Sequence, residues 1–389
     1  MLFNFRMLIK NVSVIAIISF WLVYPAMGTG NEENSQVRNS APKTWYASEY
    51  DDDKNHYSEQ DGPYVFKQGN RYEAWWRCGD QWIKEGYRDI AGKRIEACQL
   101  SAKMPSNEPK EIKSLNIEGD FQVVVASDIH GQFDLFLTLL KNNQIVDQAG
   151  KWQFGSGHFV ITGDVFDRGP QVIETLWYLY NLQEQAQKVG GGVHLLLGNH
   201  EVMVLNGDLR YLHPKYVHTS QVFNHHYQDL FKQGSVLGAW LRSLPVLLKV
   251  NGNLYAHGGF HPDLAKNKHS LAEINRVFKS SLVEFELDRP RADFARYLHK
   301  TDGPIWYRGY FYDSGATAEE IDLLLQHFEV NKIIVGHTSQ DTIETRHQGK
   351  VIAVDAKMKN GEYGELLLID QSQYYRMTLD GKKIRLKAD

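Results

Sequence analysis

The sequence has little cysteine, no large excess of either charge, and no repetition. Only two of its 389 residues are cysteines, and neither stands near a motif that carries chemistry. The formal net charge of −4 gives no reason to expect a nucleic-acid partner. No internal repeat or low-complexity tract is present, so the chain is not a repeat array. What remains is an ordinary globular composition, a length that suggests about two domains, and 16 histidines that could ligate metal.

The N-terminal segment has the pattern of an export signal. Arg6 and Lys10 precede an apolar run at residues 12–24, which suits a signal peptide and is short for a membrane span. Ala26 and Gly28 supply the small residues of a cleavage site. We expect residues 1–28 to be a signal peptide and the mature protein to reach a bacterial periplasm. The alternative is a retained signal-anchor, and this segment is the only membrane contact we expect.

Composition divides the remaining chain into three parts. Residues 29–44 are polar and predict a linker, whereas residues 45–115 predict a small β-rich region of aromatic segments separated by glycines. From 116 to 389 the pattern changes to alternating strands and helices, which predicts a larger α/β domain. Cys78 and Cys98 both fall in the β-rich region. In an oxidising compartment they could form a disulfide or remain two buried thiols, and both alternatives stay open.

Ionisable side chains follow the predicted strands of the larger domain. A packed core has no need of such clusters, and open α/β sheets gather their ligands at the carboxyl ends of strands. Each motif alone is weak, but together they predict one site. In chain order they are DIHG at 128–131, GDVFDRG at 163–169, GNHE at 198–201, HGG at 257–259 and GHT at 336–338.

These motifs resemble the calcineurin-like metallophosphoesterases, and within them the phosphoprotein phosphatase family. The resemblance covers residues 117–355. The stretches EVMVLNGDLRY at 201–211 and GPIWYRG at 303–309 are similar, more narrowly, to the branch called Shewanella-like phosphatases. The resemblance implies an α/β fold: a calcineurin-like β-sandwich flanked by α-helices, with residues 116–389 as the catalytic domain.

The resemblance also implies a pair of metal ions. Their oxygen and imidazole ligands suit Mn, Fe or Zn. A hydroxide that bridges the ions would attack phosphorus. Carried over residue by residue, Asp128 and His130 bind the first metal, Asp164 bridges both, and Asn199, His257 and His337 complete the second.

Further roles follow from the same resemblance. Arg168 and Arg308 would hold the phosphate oxygens, because guanidinium is permanently charged and bidentate. His200 would protonate the leaving oxygen, and Asp167 would orient His200. Arg210, in the loop after the third motif, is a further candidate for substrate contact.

Two departures from the family pattern refine the prediction. Ser127 precedes Asp128 where the phosphoprotein phosphatases usually have glycine, which affects backbone geometry more than ligation. Thr338 and Ser339 follow His337, where many general metallophosphoesterases have a second histidine two residues on. The missing histidine favours the phosphatase branch over broad phosphodiesterases.

The predicted function is a hydrolase that removes phosphate from phosphoproteins, at tyrosine, at serine or threonine, or at both. The resemblance favours phosphotyrosine slightly. An alternative is a symmetrical dinucleoside-polyphosphate or nucleotide phosphatase, although export argues against it because those nucleotides are mainly intracellular. A metal-binding scaffold without activity is a third hypothesis.

Overall fold

The structure is a computed structural model that describes residues 59–108 and 114–387. The predicted signal peptide, the linker and residues 45–58 and 109–113 of the β-rich region lie outside the described residues. Within residues 59–108 the β-rich region has a three-stranded antiparallel sheet and a separate hairpin. The sheet comprises β1 (Gln60–Gln68), β2 (Arg71–Cys78) and β3 (Gln81–Tyr87), and the hairpin comprises β4 (Arg94–Ala97) and β5 (Leu100–Lys103).

A disulfide joins Cys78, at the end of β2, to Cys98, in the turn of the β4–β5 hairpin. The two Cα atoms are 5.8 Å apart, a normal separation for bridged cysteines. The pair therefore links the three-stranded sheet to the hairpin, and the sequence alternative of two free thiols is not the one observed.

Two six-stranded sheets lie within residues 116–387. The first has the order β17-β16-β15-β7-β8-β9, and its strands β7, β8 and β9 run parallel. Its strands are β7 (Val123–Ala126), β8 (His158–Ile161), β9 (Gly192–Leu195), β15 (Glu365–Asp370), β16 (Gln373–Thr378) and β17 (Lys383–Arg385). The second has the order β13-β14-β12-β11-β10-β6. Its strands are β6 (Asn116–Ile117), β10 (Leu247–Val250), β11 (Asn253–Ala256), β12 (Lys332–Val335), β13 (Glu344–Arg346) and β14 (Val351–Ala353).

The two sheets share a buried apolar layer. Successive side chains of a strand point to opposite faces, so one strand contributes both to this layer and to the core on its other face. In β7, Val123 and Val125 join the layer that also contains Tyr255 and Ile334 of the second sheet. The alternate residue Val124 belongs instead to the larger core formed with the helices. Strands covered on both faces explain the continuous apolar runs in the sequence. The predicted β-sandwich flanked by helices is confirmed.

Helices and short helical turns connect the strands. The helices are α1 (Phe133–Asn142), α2 (Val172–Gln187), α3 (Asn199–Leu205), α4 (Pro214–Phe223), α5 (Val236–Ser243), α6 (Asp263–Lys266), α7 (Leu271–Ser280), α8 (Asp293–Leu298) and α9 (Ala318–Phe328). The 3₁₀ turns span Tyr227–Phe231, Glu284–Glu286 and Met358–Asn360. α4 begins at a proline, whose fixed φ suits the first helical position, and stops at Asn224 in the left-handed region. Of the helices within residues 59–108 and 114–387, none is both long and apolar enough to cross a membrane.

The β-rich region packs directly against the helices beside the sandwich. Tyr64 of β1 makes edge contacts with Phe223 and Phe231, and all three side chains are buried. Trp177 of α2 donates its indole N–H to the Pro63 carbonyl at 3.0 Å. Apolar residues of the β-rich region and of the sandwich helices thus belong to one continuous core. The predicted boundary at residue 115 stays a prediction.

Candidate active site

The predicted second metal set comes together where β8, β9, β11 and β12 end. His257 Nε2 lies 3.1 Å from Asp164 Oδ2, 2.8 Å from Asn199 Oδ1 and 3.1 Å from His337 Nδ1. All four side chains are buried. Asp164, His257 and His337 therefore offer ligand atoms close enough together to hold one ion.

The predicted ligands of the first metal also lie near Asp164, around the same oxygen that His257 contacts. Asp164 Oδ2 is 3.6 Å from His130 Nε2 and 3.8 Å from His200 Nε2. Asp128 Oδ1 is 3.8 Å from the same His130 nitrogen. Asp164 thus belongs to both clusters, as expected for a bridging carboxylate. The geometry also groups His200 with His130 and Asp164, although the resemblance gives His200 a different role.

The backbone leaves the strands sharply at these positions. Single residues in the left-handed region are uncommon outside glycine, and their accumulation marks functional sites at a cost of about 1–3 kcal/mol each. The site residues with positive φ are Asp128 (53°), His130 (48°), Asp164 (59°), Asp167 (69°), Arg168 (66°) and His337 (65°). These turns let side chains close in sequence converge on one place.

Backbone contacts orient two of the imidazoles towards the carboxylates. The Nδ1 atom of His257 is 2.9 Å from the Thr162 carbonyl, and that of His130 is 2.7 Å from the Phe166 carbonyl. Each Nδ1–H therefore donates to a carbonyl, which leaves the Nε2 lone pair facing Asp164. Metal-binding histidines are commonly held in this way.

The charges of the site also fit a cation. Burial raises the pKa of the Asp128 carboxyl to about 7, with a further contribution from Asp355. Burial lowers the pKa of His257, but Asp164 and Asp128 outweigh it and raise the value to about 9. Burial holds the pKa of His337 well below its ordinary value, and its Nε2 atom has no hydrogen-bond partner in the described chain. The negative charge that raises the pKa of His257 is what a divalent ion would offset, and carboxylate and imidazole ligands suit such ions.

Glycine is required where the chain passes closest to the ligands. A Cβ on Gly336 would lie 2.6 Å from Asp128 Oδ2 and would also collide with the Ser127 hydroxyl. That hydroxyl donates a short hydrogen bond to the same Asp128 oxygen and receives one from Thr162 at 2.7 Å. The Ser127 departure from the family pattern therefore places a donor on a predicted metal ligand.

The His200 imidazole is held by the second aspartate of the GDVFDRG motif. His200 Nδ1 is 2.5 Å from Asp167 Oδ2, and both side chains are buried. Burial lowers the pKa of His200, but Asp164 and Asp167 outweigh it and raise the pKa above its ordinary value. The arrangement keeps Nδ1 engaged and directs Nε2 towards Asp164.

The three arginines take different positions. The Nε atom of Arg168 is buried and has no hydrogen-bond partner among the described residues, and its guanidinium lies 4.9 Å from the Tyr211 ring centroid. Arg308 donates from Nη1 to the His337 carbonyl at 2.8 Å, which holds it beside the second cluster. Arg210 is exposed and paired with Asp208. Arg210 and Arg308 line the same cavity, which has a volume of about 710 Å³. The residues that line it include none of the predicted metal ligands in the described chain.

The sequence analysis did not identify Glu201 as a residue that stabilises the backbone of the site. Its carboxylate accepts N–H bonds from Asp164 (2.9 Å), Val165 (2.6 Å) and Gly198 (2.7 Å). It thereby ties the start of α3 to the GDVFDRG turn. Its place in the GNHE motif was the available signal, but only the fold shows where the side chain points.

Asp355 is fully buried, and its carboxylate contributes to the raised pKa of Asp128. It accepts hydrogen bonds from the Ser339 hydroxyl at 2.5 Å and the Lys357 amide at 3.0 Å. Ser339 stands where many metallophosphoesterases have a histidine. It therefore contributes to holding a neighbouring carboxylate.

The fold and the two clusters that share Asp164 define a metallophosphoesterase. A model of the calcineurin-like phosphoesterase family matches residues 121–341, and the chain belongs to that family. Family members use a dinuclear divalent metal centre, and the described residues include candidate groups for it. The resemblance stated from the motifs is confirmed.

Three individual proteins show where the chain stands within the family. The crystal structure of a cold-active protein-tyrosine phosphatase from a psychrophilic Shewanella species is 41% identical, with a TM-score of 0.80, and the match covers 84% of this chain and 99% of that one. Shewanella-like protein phosphatase 1 of Plasmodium berghei is 29% identical over 233 residues, 58% of this chain and 63% of that protein. The symmetrical bis(5'-nucleosyl)-tetraphosphatase of Vibrio cholerae matches less, with 28% identity over 158 residues, 40% of this chain and 52% of that protein.

Proposed function

We propose that this protein is a metal-dependent protein phosphatase that hydrolyses phosphomonoesters, with phosphotyrosine as its preferred substrate. The observation that carries the proposal is the buried pair of clusters sharing Asp164, together with the buried Nε of Arg168, which has no hydrogen-bond partner within residues 59–108 and 114–387. The tyrosine preference rests on the Shewanella protein-tyrosine phosphatase, whose 41% identity extends over 84% of this chain. The tetraphosphatase alternative fits less well, because its match covers 40% of the chain.

Six side chains would hold the metal ions, and four of these side chains belong to the two clusters that share Asp164. Bound divalent ions, of Mn, Fe or Zn, would supply Lewis-acid activation of water and of the phosphoryl group. On the side of the first ion the ligands are Asp128 and His130. Asp164 is shared, and Asn199, His257 and His337 serve the second ion.

The remaining residues divide the work of binding and proton transfer. Arg168 and Arg308 bind phosphate oxygens, and their fixed charge offsets the dianion of a phosphomonoester. His200 carries its proton on Nε2, with Nδ1 held by Asp167, and donates it to the leaving oxygen. Arg210 contacts the peptide part of the substrate from the rim of the 710 Å³ cavity.

The proposed location is the bacterial periplasm, after removal of residues 1–28. The Cys78–Cys98 disulfide supports this proposal, since disulfides persist in oxidising compartments. Fractionation of cells that express the full chain tests it. A mature protein recovered from the periplasm, with its N-terminus near residue 29, is expected; an intact N-terminus on cytoplasmic protein would overturn the export proposal.

A substrate panel with elemental analysis tests the activity. Metal-loaded wild type is assayed on a phosphotyrosine peptide, a phosphoserine peptide and a dinucleoside tetraphosphate, with Arg168→Ala as the matched control. We expect two equivalents of metal, fastest turnover of phosphotyrosine, and a large loss in the variant. Cleavage of the dinucleotide with both peptides untouched would replace the proposal with the nucleotide alternative. Tight partner binding without hydrolysis of any phosphomonoester would favour the scaffold.

A further inference from the structure

A buried network of charged residues connects the β-rich region to α4. Its members are not among the predicted metal ligands. Asp61 of β1 and Lys215 of α4 are both almost fully buried, and Asp61 Oδ1 is 3.5 Å from Lys215 Nζ. Asp61 also accepts hydrogen bonds from the Tyr64 hydroxyl at 2.8 Å and the Thr219 hydroxyl at 2.6 Å. Arg77 of β2 donates to the same Thr219 oxygen at 3.0 Å. Two strands of the β-rich region thus hold one face of α4.

The same helix holds the chain that follows the phosphate-binding motif. The Pro170 carbonyl, two residues after Arg168, accepts hydrogen bonds from Lys215 Nζ and from the Tyr216 hydroxyl, both at 2.8 Å. Lys215 Nζ also contacts Glu174 at 3.0 Å. Lys215 therefore bonds to both sides of the network: to Asp61 of the β-rich region and to the loop between Arg168 and α2.

Arg168 itself is held by the segment that leads into α4. Its backbone N–H donates to the Tyr211 carbonyl at 3.0 Å, and its guanidinium lies 4.9 Å from the Tyr211 ring centroid. With φ of 66°, Arg168 occupies a backbone region that a non-glycine residue keeps only when its surroundings enforce it. One such constraint is the bond from the Arg168 N–H to Tyr211. Another is the pair of bonds that Lys215 and Tyr216 donate to Pro170. All three of these partners lie within residues 211–216.

A buried ion pair is a costly way to gain stability alone. Taking an ammonium and a carboxylate out of water costs several kcal/mol per ion, and well-packed apolar residues often serve as well or better. An apolar pair would lack the Lys215 donor and would leave the Pro170 carbonyl with the Tyr216 hydroxyl alone. The network lies close to Arg168 in the chain, and its buried Lys215 helps to position the Pro170 carbonyl.

We propose that the β-rich region is a positioning element of the active site, in which Asp61 and Lys215 fix the backbone that presents Arg168 to a phosphate. Asp61 and Lys215 touch no reacting atom and act through Pro170 and the α4 segment. The inference rests on the proposed function in one respect, that Arg168 binds phosphate.

The test measures affinity for inorganic phosphate by calorimetry on metal-loaded protein, which needs no turnover. Asp61→Asn keeps the shape of the side chain and removes one of the two carboxylate charges that pair with Lys215, leaving Glu174. We expect the dissociation constant to rise about 10-fold, since misplacement of a positioned group by about 1 Å can cost as much as 100-fold. Metal content should match wild type, because Asp61 lies outside both clusters.

Glu365→Gln is the matched control. Glu365 is likewise buried, and it accepts from the Ile343 amide at 2.8 Å and from Arg376 at 2.8 Å. The Glu365→Gln variant should have a lower free energy of unfolding than wild type and an unchanged affinity for phosphate. Thr219→Val, which removes one donor to Asp61, gives a milder variant should Asp61→Asn not fold, with about 3-fold weaker phosphate binding expected.

Three results would overturn the positioning role. One is phosphate affinity within twofold of wild type in both network variants, and another is an equal loss in Glu365→Gln. The third is wild type that binds no phosphate. Wild type that binds phosphate but hydrolyses no phosphomonoester would refute the proposed function alone, and the comparison of phosphate affinities would still decide the positioning role.

Discussion

Replacing Asp167 by asparagine tests the division of labour between the two aspartates of the GDVFDRG motif. Asp164 is shared by both ligand clusters, whereas Asp167 contacts His200 Nδ1 at 2.5 Å. Asparagine keeps the shape of the side chain and removes its charge. The substitution should therefore change the protonation of His200 and leave the metal ligands in place.

The magnitude follows from the contact. Opposite unit charges about 4 Å apart interact by about 4 kcal/mol at an effective dielectric constant of about 20. Loss of the Asp167 charge should therefore lower the pKa of His200, because that neighbouring carboxylate favours the protonated imidazole. Relaxation around the neutral amide reduces the effect, so we expect turnover to fall by about 10²–10³-fold, within the usual contribution of a positioned acid.

The assay compares two phosphomonoesters with different leaving groups. Phenyl phosphate releases a basic phenolate that needs a proton, whereas p-nitrophenyl phosphate releases a stable anion. If His200 donates the proton, Asp167→Asn should slow phenyl phosphate much more than p-nitrophenyl phosphate, with KM nearly unchanged. Asp208→Asn, which neutralises an exposed aspartate paired with Arg210, is the matched control and should change turnover less than twofold.

Two results would refute this reasoning. Loss of metal from Asp167→Asn, detected by elemental analysis, would mean that Asp167 supports ligation. Equal losses on both leaving groups would mean that His200 acts on binding or as a ligand, in keeping with its place beside His130 and Asp164.

Three further predictions concern metal binding, acid stability and the disulfide. Asp164→Asn should lose metal from both clusters, and wild-type metal content in that variant would contradict the bridging role. Burial, together with the neighbouring His158, lowers the pKa of His194 to about 3. Its folded state stays neutral while the unfolded state gains a proton, so stability should fall as pH drops from about 6.5 towards 3, by up to about 1.4 kcal/mol per pH unit. Denaturation midpoints of wild type and His194→Gln should therefore converge on acidification; an unchanged gap would refute the assignment. Replacing Cys78 and Cys98 by serine opens a loop with a sequence separation of 20 and should cost about 3 kcal/mol in unfolding free energy, with turnover retained at low temperature; a loss below about 0.5 kcal/mol would contradict the estimate.

The strand elements of the sandwich could be predicted closely because their patterns are local. The apolar run HFVIT at 158–162 is typical of a buried strand, and the structure has one at His158–Ile161. The spacing at 171–189, which ends at glycines, is typical of a helix, and one spans Val172–Gln187. Runs of buried side chains and glycine stops are encoded within a few residues.

The composition of the ligand cluster was likewise predictable, since each motif follows a strand whose end could be recognised. Partners that arrive from other parts of the chain were not predictable. Glu201 accepts from four amides, three of them 35 to 37 residues away, and Asp61 meets Thr219 across 158 residues. Such pairings depend on how the sheets and helices pack, and no pattern near either residue specifies them.

The sequence by itself therefore determined the chemistry of the site: which carboxylates, imidazoles and guanidinium groups follow the strands. Only the tertiary structure decided what surrounds them. It placed Asp164 between two clusters, attached Asp167 to His200, and joined the β-rich region to the loop after Arg168. The physical reason is that residue type fixes what a side chain can bind, whereas the distance between residues far apart in the chain is set by long-range packing.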